Sequence, residues 1–429
     1  MSSIDVVEWG GRSRLANLEE NARLNGLTPV TVGPSTTESS IITLLNSGHG
    51  FTAPSPSPIA NTDDTSTFLF GSQSLRLTTQ GGGTSQIARK TGLTSTDMTG
   101  KMFRVTFMVD QPTHLANLRF DVSSDTFTNW SQGLFVTSNA TIVADPLLAA
   151  NTWYQITIPW GLFTVGGGAG ATRSAITAVQ LLVKDDNTGN VVNVWLDKIA
   201  AVAEPSVALI TFTFDDGRDG AFTKAKPILD AAGWRASWAP IYDKVGQTNY
   251  MTMAQNYALR DAGWDPCVHA YTSAVHNNYQ TVSDEDAIND TLKAKAWMRE
   301  IGLGPADNFL IPKGGLTSKL RDDVYRKNFT LVRTTFPSLR EAYPPGRNWN
   351  LRPYNPGTKS VATVEGIIDE AVTNKEWLIL QLHNVADSAD GDNNTVLTAD
   401  LQTLVTYIQG KGASVKVKSL AEVVATGTA

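Results

Sequence analysis

At about residue 205 the chain changes its hydrophobic rhythm, and no single architecture accommodates both parts. From 39 to 204 apolar residues come in short β-branched and aromatic runs, among them MFRVTFMVD (102–110), LRFDVSS (118–124), WYQITIPW (153–160), AVQLLVKDD (178–186) and VVNVWLDKIAAV (191–202). QGGGTS and VGGGAGAT punctuate them, and helical periodicity is nearly absent. Many short strands broken by turn residues predict an all-β sandwich or jelly roll. From 205 onward strand-like and helical segments alternate. ALITFTF, AFTKAKPILDAAG, WRASWAPIYD, MTMAQNYALRDAG and WDPCVHAYT lead to SDEDAINDTLKAKAWMREIG, a helix with Ser283 as N-cap. The alternation continues through FTLVRTTF, VEGIIDEAV, WLILQLHNV and DLQTLVTYIQGKG to SVKVKSL. It predicts parallel βα units and an α/β domain of distorted βα-barrel type.

A length of 429 residues agrees with a multidomain chain. Residues 1–38 stand apart. SRLANLEENARLNGL (13–27) has helix formers with Leu15, Leu18, Ala22 and Leu24, and TVGPSTTESS (31–40) reads as a linker. The expected division is an attachment segment and linker at 1–38, a β-sandwich at 39–204 and a βα domain at 205–429.

Composition narrows the function classes. The net charge is −6 with no Lys/Arg run, so nucleic acid is not an expected partner. No apolar run approaches the ~20 residues that span a bilayer. The single cysteine, Cys267, excludes an intrachain disulfide framework and a thiolate zinc cluster, and reads as a buried, inert thiol. The opening MSSIDVVEWGGRSRLANLEE has no apolar core of the kind a secretory signal needs.

The chemistry concentrates after 205. In ITFTFDDGRDG (210–220) an apolar strand runs into two adjacent carboxylates, Asp215 and Asp216. In βα barrels the chemistry sits at C-terminal strand ends. Of five histidines, His269, His276 and His383 fall at or just past such ends. Two imidazoles and one carboxylate leave room for water on a divalent metal, the catalytic rather than the structural pattern for zinc. A second carboxylate beside the metal could serve as base. The metal would also answer for the adjacent aspartates, since it takes up the charge of one while the other stays a base.

TFDDG (213–217), HAYT from His269, FLIPKGG (309–315), WLILQLHNV (377–385) and the closing TADLQTLVTYIQGKGASVKVKSLAEVV resemble, in order, the motifs of the polysaccharide deacetylases, carbohydrate esterase family four. The resemblance covers about 205–429. It implies Asp215 as general base, Asp216, His269 and His276 as metal ligands, and His383 as general acid. It implies Leu382 lining an acetyl pocket, and Pro312, Lys313 and Gly314 (with Gly315) in a loop whose N–H groups hold the oxyanion. Zinc is the first choice of metal, with cobalt, manganese or nickel as alternatives.

Three departures stand beside it. The family's two histidines sit four residues apart, which would be Ser273 here. Either three residues are inserted and His276 is the ligand, or a ligand is lost and His276 is a surface loop residue. The loop before Gly314 lacks the arginine that some members pair with the base. No Asp-Trp motif is found; Arg333 and Arg352 are candidates for positioning substrate.

The 39–204 region is similar in texture to carbohydrate-binding jelly rolls, where Trp130, Trp153, Trp160 and Trp195 either stack on sugar rings or pack the core. The expected function is metal-dependent removal of N- or O-acetyl groups from a bacterial surface polysaccharide. The alternatives are a glycan-binding protein of the same fold without catalysis, and ferrous-iron oxygenation on the same ligand set. Substrates outside cells and no visible export signal suggest a virion, with residues 1–38 attaching to a phage tail or baseplate, an extracellular site of action and a homotrimer.

Overall fold

The computed structural model describes residues 8–9, 12–13, 38–137, 148–335, 340–343, 345, 348–357, 359–392 and 394–426. Glu8–Trp9 pairs antiparallel with Arg12–Ser13. The rest of 1–37, including the expected helix and linker, lies outside the described residues. Two units, Thr36–Glu204 and Pro205–Ala429, are each compact.

The first unit is built from β1 (Glu38–Leu44), β2 (Thr62–Asp64), β3 (Ser74–Thr78), β4 (Gln86–Lys90), β5 (Lys101–Val109), β6 (Leu115–Ser123), β7 (Trp130–Thr137), β8 (Thr152–Ile158), β9 (Phe163–Gly167), β10 (Ala178–Asp185) and β11 (Asn193–Ala203). One antiparallel sheet has the order β8-β5-β11-β3-β2, with β1 also on β11, and the other β9-β7-β6-β10-β4. Phe103 of β5 meets Phe120 of β6 edge-on with ring centroids 5.3 Å apart, so the sheets pack face to face. Each of the four tryptophans packs against residues of this unit. Trp153 and Trp195 are buried against Leu69 and Met108. One face of Trp130 carries the Arg119 guanidinium at 5.1 Å. Against its ring lie Gly166 and Gly167, where a Cβ would come within 2.3 Å. Trp160 packs on Phe163 and Arg173.

In the second unit β12 (Ala208–Phe214) is buried along its whole length. It pairs in parallel with β13 (Ser237–Trp238) and β17 (Trp377–Leu382). Parallel pairings lead from β13 to β14 (Asp265–Pro266), by the Val268–Phe309 bridge to β15 (Asn308–Leu310), and to β16 (Leu331–Arg333). Bridges Arg333–Leu351 and Tyr354–Leu380 carry the circuit back to β17. β18 (Asn384–Ala386) and β19 (Thr395–Leu397) pair beside it, and β20 (Val415–Val417) pairs with the start of β12. Leu209, Cys267, Leu310, Leu331, Trp377 and Ile379 fill the centre.

Helices separate the strands: α1 (Lys226–Ala231), α2 (Met253–Asp261), α3 (Ser273–Asn277), α4 (Asp284–Glu300), α5 (Val361–Asn374) and α6 (Thr398–Gly410). Ser283 caps α4, its hydroxyl accepting from the Asp286 N–H. WRASWAPIYD and WDPCVHAYT, read as full strands, pair regularly over only two residues each. Among the described residues no helix is long and apolar enough to cross a membrane.

Candidate active site

β12 delivers the two aspartates to different places. Asp215 stays in the ladder, its N–H donating to the Leu382 carbonyl at 2.8 Å. Its carboxylate is buried, accepting from Gln381 Nε2 at 2.8 Å and from the Arg333 guanidinium. The next two residues turn left-handed, Asp216 at φ 68° and Gly217 at φ 70°. A non-glycine residue rarely adopts that conformation, and it swings the Asp216 carboxylate away from its neighbour's. Gly217 is required, because a Cβ there would lie 3.0 Å from the Pro240 backbone.

Asp216 Oδ1 lies 3.1 Å from His269 Nε2 and 2.9 Å from His276 Nε2, and the two Nε2 atoms are 3.1 Å apart. His269 Nδ1 donates to the Leu310 carbonyl at 2.6 Å, and His276 Nδ1 donates to Asn277 Oδ1 at 3.1 Å. With Nδ1 protonated, each neutral Nε2 presents a lone pair. Burial lowers the His269 pKa, favouring that neutral form. Three lone-pair atoms therefore converge within 4.8 Å of one another with no hydrogen between them. They repel unless a cation sits among them, so this donor set fits a divalent metal.

The competing readings of the histidine spacing separate here. After His269 the chain forms the short helix α3, with the Thr272 hydroxyl accepting from the Val275 N–H. Ser273 faces away, its N–H and hydroxyl donating to Asp243 at 2.8 and 2.9 Å. Asp290 accepts from the Tyr271 and Thr272 N–H groups at 2.7 and 2.9 Å. The inserted turn is thus pinned at two carboxylates and brings back a buried His276.

His383 stands opposite. Its Nε2 is 3.6 Å from Asp215 Oδ2, and its Nδ1 is 3.4 Å from Asp392 Oδ2 and 3.6 Å from Asp216 Oδ2. Burial opposes charging this ring, but contact with Asp215 and Asp392 outweighs it and raises its pKa to about 10. His383 pulls Asp392 down to about 2. Burial works against ionising Asp215 and Asp216 too. The Arg333 guanidinium and His383 hold Asp215 well below the usual carboxylate range.

These groups open on a cleft of about 380 Å³ lined by Asp215, His269, His276 and His383 together with Lys313, Gln381, Asn355 and Asn394. Several sequence expectations change in it. Arg333 does not face the cleft; it is fully buried and paired with Asp215. Arg352 is held by Glu341 through contacts of 2.7 and 2.9 Å and is not among the cleft-lining residues. Leu382 is buried and also not in the lining. Pro312 and Gly314 are buried under the exposed Lys313, whose φ is 54°. The Gly315 N–H donates to the Pro312 carbonyl at 3.1 Å, so that donor is used within the turn.

Sequence reasoning missed Gln381, Asp392 and Asn394. Gln381 stands two residues before His383, the spacing of one strand face, and was findable on that ground. Asp392 and Asn394 lie in an irregular loop with no periodic signal.

The Polysaccharide deacetylase family profile matches residues 203–332, a span that includes Asp215, Asp216, His269 and His276. Residues 203–332 are thus similar to the polysaccharide deacetylases. No curated protein sequence matches the chain. Among solved structures, the Xyl-CE4 domain of a multidomain xylanase from the hindgut metagenome of Trinervitermes trinervoides is 16% identical, over 51% of this chain and 89% of that one, with a TM-score of 0.36. A family 4 carbohydrate esterase from Streptomyces lividans is 17% identical over 49% and 91%, with a TM-score of 0.34. A family 4 acetyl xylan esterase from Clostridium thermocellum is 15% identical over 50% and 89%, with a TM-score of 0.35. Arg333 and His383 lie beyond the profile match, so their place in this site rests on the geometry above.

Proposed function

We propose that the second unit is a metal-dependent deacetylase that removes N- or O-acetyl groups from an acetylated bacterial surface polysaccharide. The observation that carries this is the lone-pair triad of Asp216, His269 and His276 with a second, independently held carboxylate beside it. These three residues would hold a divalent cation, zinc before cobalt, manganese or nickel, which supplies Lewis acidity for activating water and polarising the acetyl carbonyl.

The chain's own residues divide the proton work. Asp215 Oδ2 accepts the proton of the attacking water, and Gln381 and Arg333 fix its orientation. His383 Nε2 holds a proton on the other side and delivers it to the departing amine or alcohol. Asp392 favours the charged ring. Lys313, which lines the cleft, would meet substrate.

Acetate release from an acetylated oligosaccharide tests the proposal. Activity should vanish on chelation, return with zinc, and fall by about 10³-fold or more in Asp215→Asn. Full activity after both treatments removes it. We also propose that the protein works outside the cytoplasm. Attachment to a phage tail through residues 1–38 and a homotrimeric state belong to the same proposal, tested by locating the protein in purified virions.

A further inference from the structure

The catalytic cleft presents two lysines whose charge nothing cancels. Lys313 and Lys359 both line it, and both are exposed. Among the described residues neither ammonium forms an ion pair. Asp215 is the one carboxylate in the lining, and it is already paired with Arg333. The nearby Asp392 is held to His383 at 3.4 Å. The chain as a whole carries 41 acidic against 35 basic side chains, so this local surplus of positive charge runs against its overall sign.

The two lysines come from separate segments. Lys313 sits in the turn after β15, and Lys359 immediately precedes Ser360, the N-cap of α5. Lys313 is held there against its own preference. Its φ of 54° is left-handed, a conformation that glycine or asparagine takes at less cost. The turn is fixed by the Gln280 amide, which donates to the Lys313 carbonyl, and by the Gly315 N–H, which donates to the Pro312 carbonyl at 3.1 Å. Burial of Pro312 and Gly314 accounts for the turn but does not call for a lysine at its tip. A charged side chain kept on strained backbone beside a cleft fits a residue that contacts ligand.

Uncompensated charges of one sign in a concave space focus their field and draw in ligands of the other sign. A lysine ammonium is a point charge, and it takes a carboxylate or phosphate oxygen without the fixed two-pronged geometry of an arginine. A neutral glycan gains only ordinary hydrogen bonds from this pair, and a glycan with free amines is repelled. We propose that the cleft selects a negatively charged acetylated glycan, with Lys313 and Lys359 binding the carboxylate or phosphodiester of the polymer. The inference rests on the deacetylase reading of the cleft and adds the sign of the substrate's charge.

O-acetylated polygalacturonate tests this, because methyl esterification removes its charge and leaves backbone and acetyl groups in place. An O-acetylated glycan linked through phosphodiesters, run beside it, tells the two anions apart. Zinc-loaded wild type, Lys313→Gln, Lys359→Gln and the double variant are compared for acetate release and calorimetric binding, and melting curves check folding. The wild type should favour a charged polymer over the methyl ester by about tenfold in kcat/KM and in affinity. The preference should shrink towards parity as salt rises from about 0.02 to about 0.5 M. Each single substitution should cut it about threefold, and the double variant should abolish it. Preference for one charged polymer and not the other assigns the anion as carboxylate or phosphate.

If neither charged polymer is preferred over the methyl ester, or if the folded double variant keeps the wild-type preference, charge selection is overturned while deacetylation stands. If the wild type binds a charged polymer selectively and the double variant loses that binding, yet no acetate is released, the hydrolytic reading fails and charge selection stands. Wild-type protein that neither binds nor deacetylates any of the three polymers overturns both.

Discussion

Arg333 and Asp215 form an ion pair with both side chains out of water, and that pair sets the character of the proposed base. The guanidinium comes from the end of β16, a strand that does not pair directly with β12. A buried charge left without its partner is costly, typically about 3–5 kcal/mol. Arg333→Ala should therefore lower stability by that order in urea unfolding. In the folded fraction the Asp215 carboxyl rises, because its largest favourable partner is gone. The acidic limb of the kcat/KM profile should then move to higher pH. An unmoved acidic limb would mean that Arg333 acts only on stability.

His276 and Ser273 offer a direct contrast. His276→Ala removes a lone pair from the triad and should weaken zinc binding by more than tenfold in a chelator competition. Ser273→Ala removes one hydroxyl bond to Asp243 and should change zinc affinity by less than about threefold. Equal affinity for both variants would place the third ligand elsewhere.

Asp290 braces the turn that carries His276, accepting from the Tyr271 and Thr272 N–H groups and from the Thr272 hydroxyl. Asp290→Ala should loosen that turn, weakening zinc binding about tenfold and lowering stability by about 1–3 kcal/mol. Asp290→Asn, which keeps an acceptor oxygen, should recover part of the zinc affinity. Calorimetric zinc titration of both variants reads this out, and full affinity in Asp290→Ala would show the turn to be self-supporting.

The pH dependence of stability, measured in EDTA, should carry the signature of His383. Its folded pKa is raised from 6.5 to about 10. Stability from this group is therefore complete below about 6.5 and is lost as the pH climbs through about 10. The urea midpoint should fall across that window in the wild type and much less in His383→Gln. Matching slopes in the two proteins would rule out His383 as the source.

The division near residue 205 was legible because two periodicities meet there, and periodicity is what burial on one face or two imposes. Asp215, Asp216, His269 and His383 were legible because strand ends in βα units are where polar groups can face a common cleft. Strand lengths were not. The Ser237–Trp238 and Asp265–Pro266 pairings are short, and their flanks turn into site loops while keeping strand-like composition. Arg333 was recognised but given the wrong face. A charged residue at a strand end reads as solvent- or substrate-facing until its buried partner, far off in sequence, is known. Asp392 was invisible for a related reason, since a loop fixes no face and only the fold brings it to His383.

The short helix at Ser273–Asn277 has a wider implication. Separation along the chain is a poor key to a donor set when one coil of backbone can take up the surplus and return the side chain to its station. Motif searches with rigid gaps would discard such chains as inactive, whereas a filter on side-chain convergence would retain them.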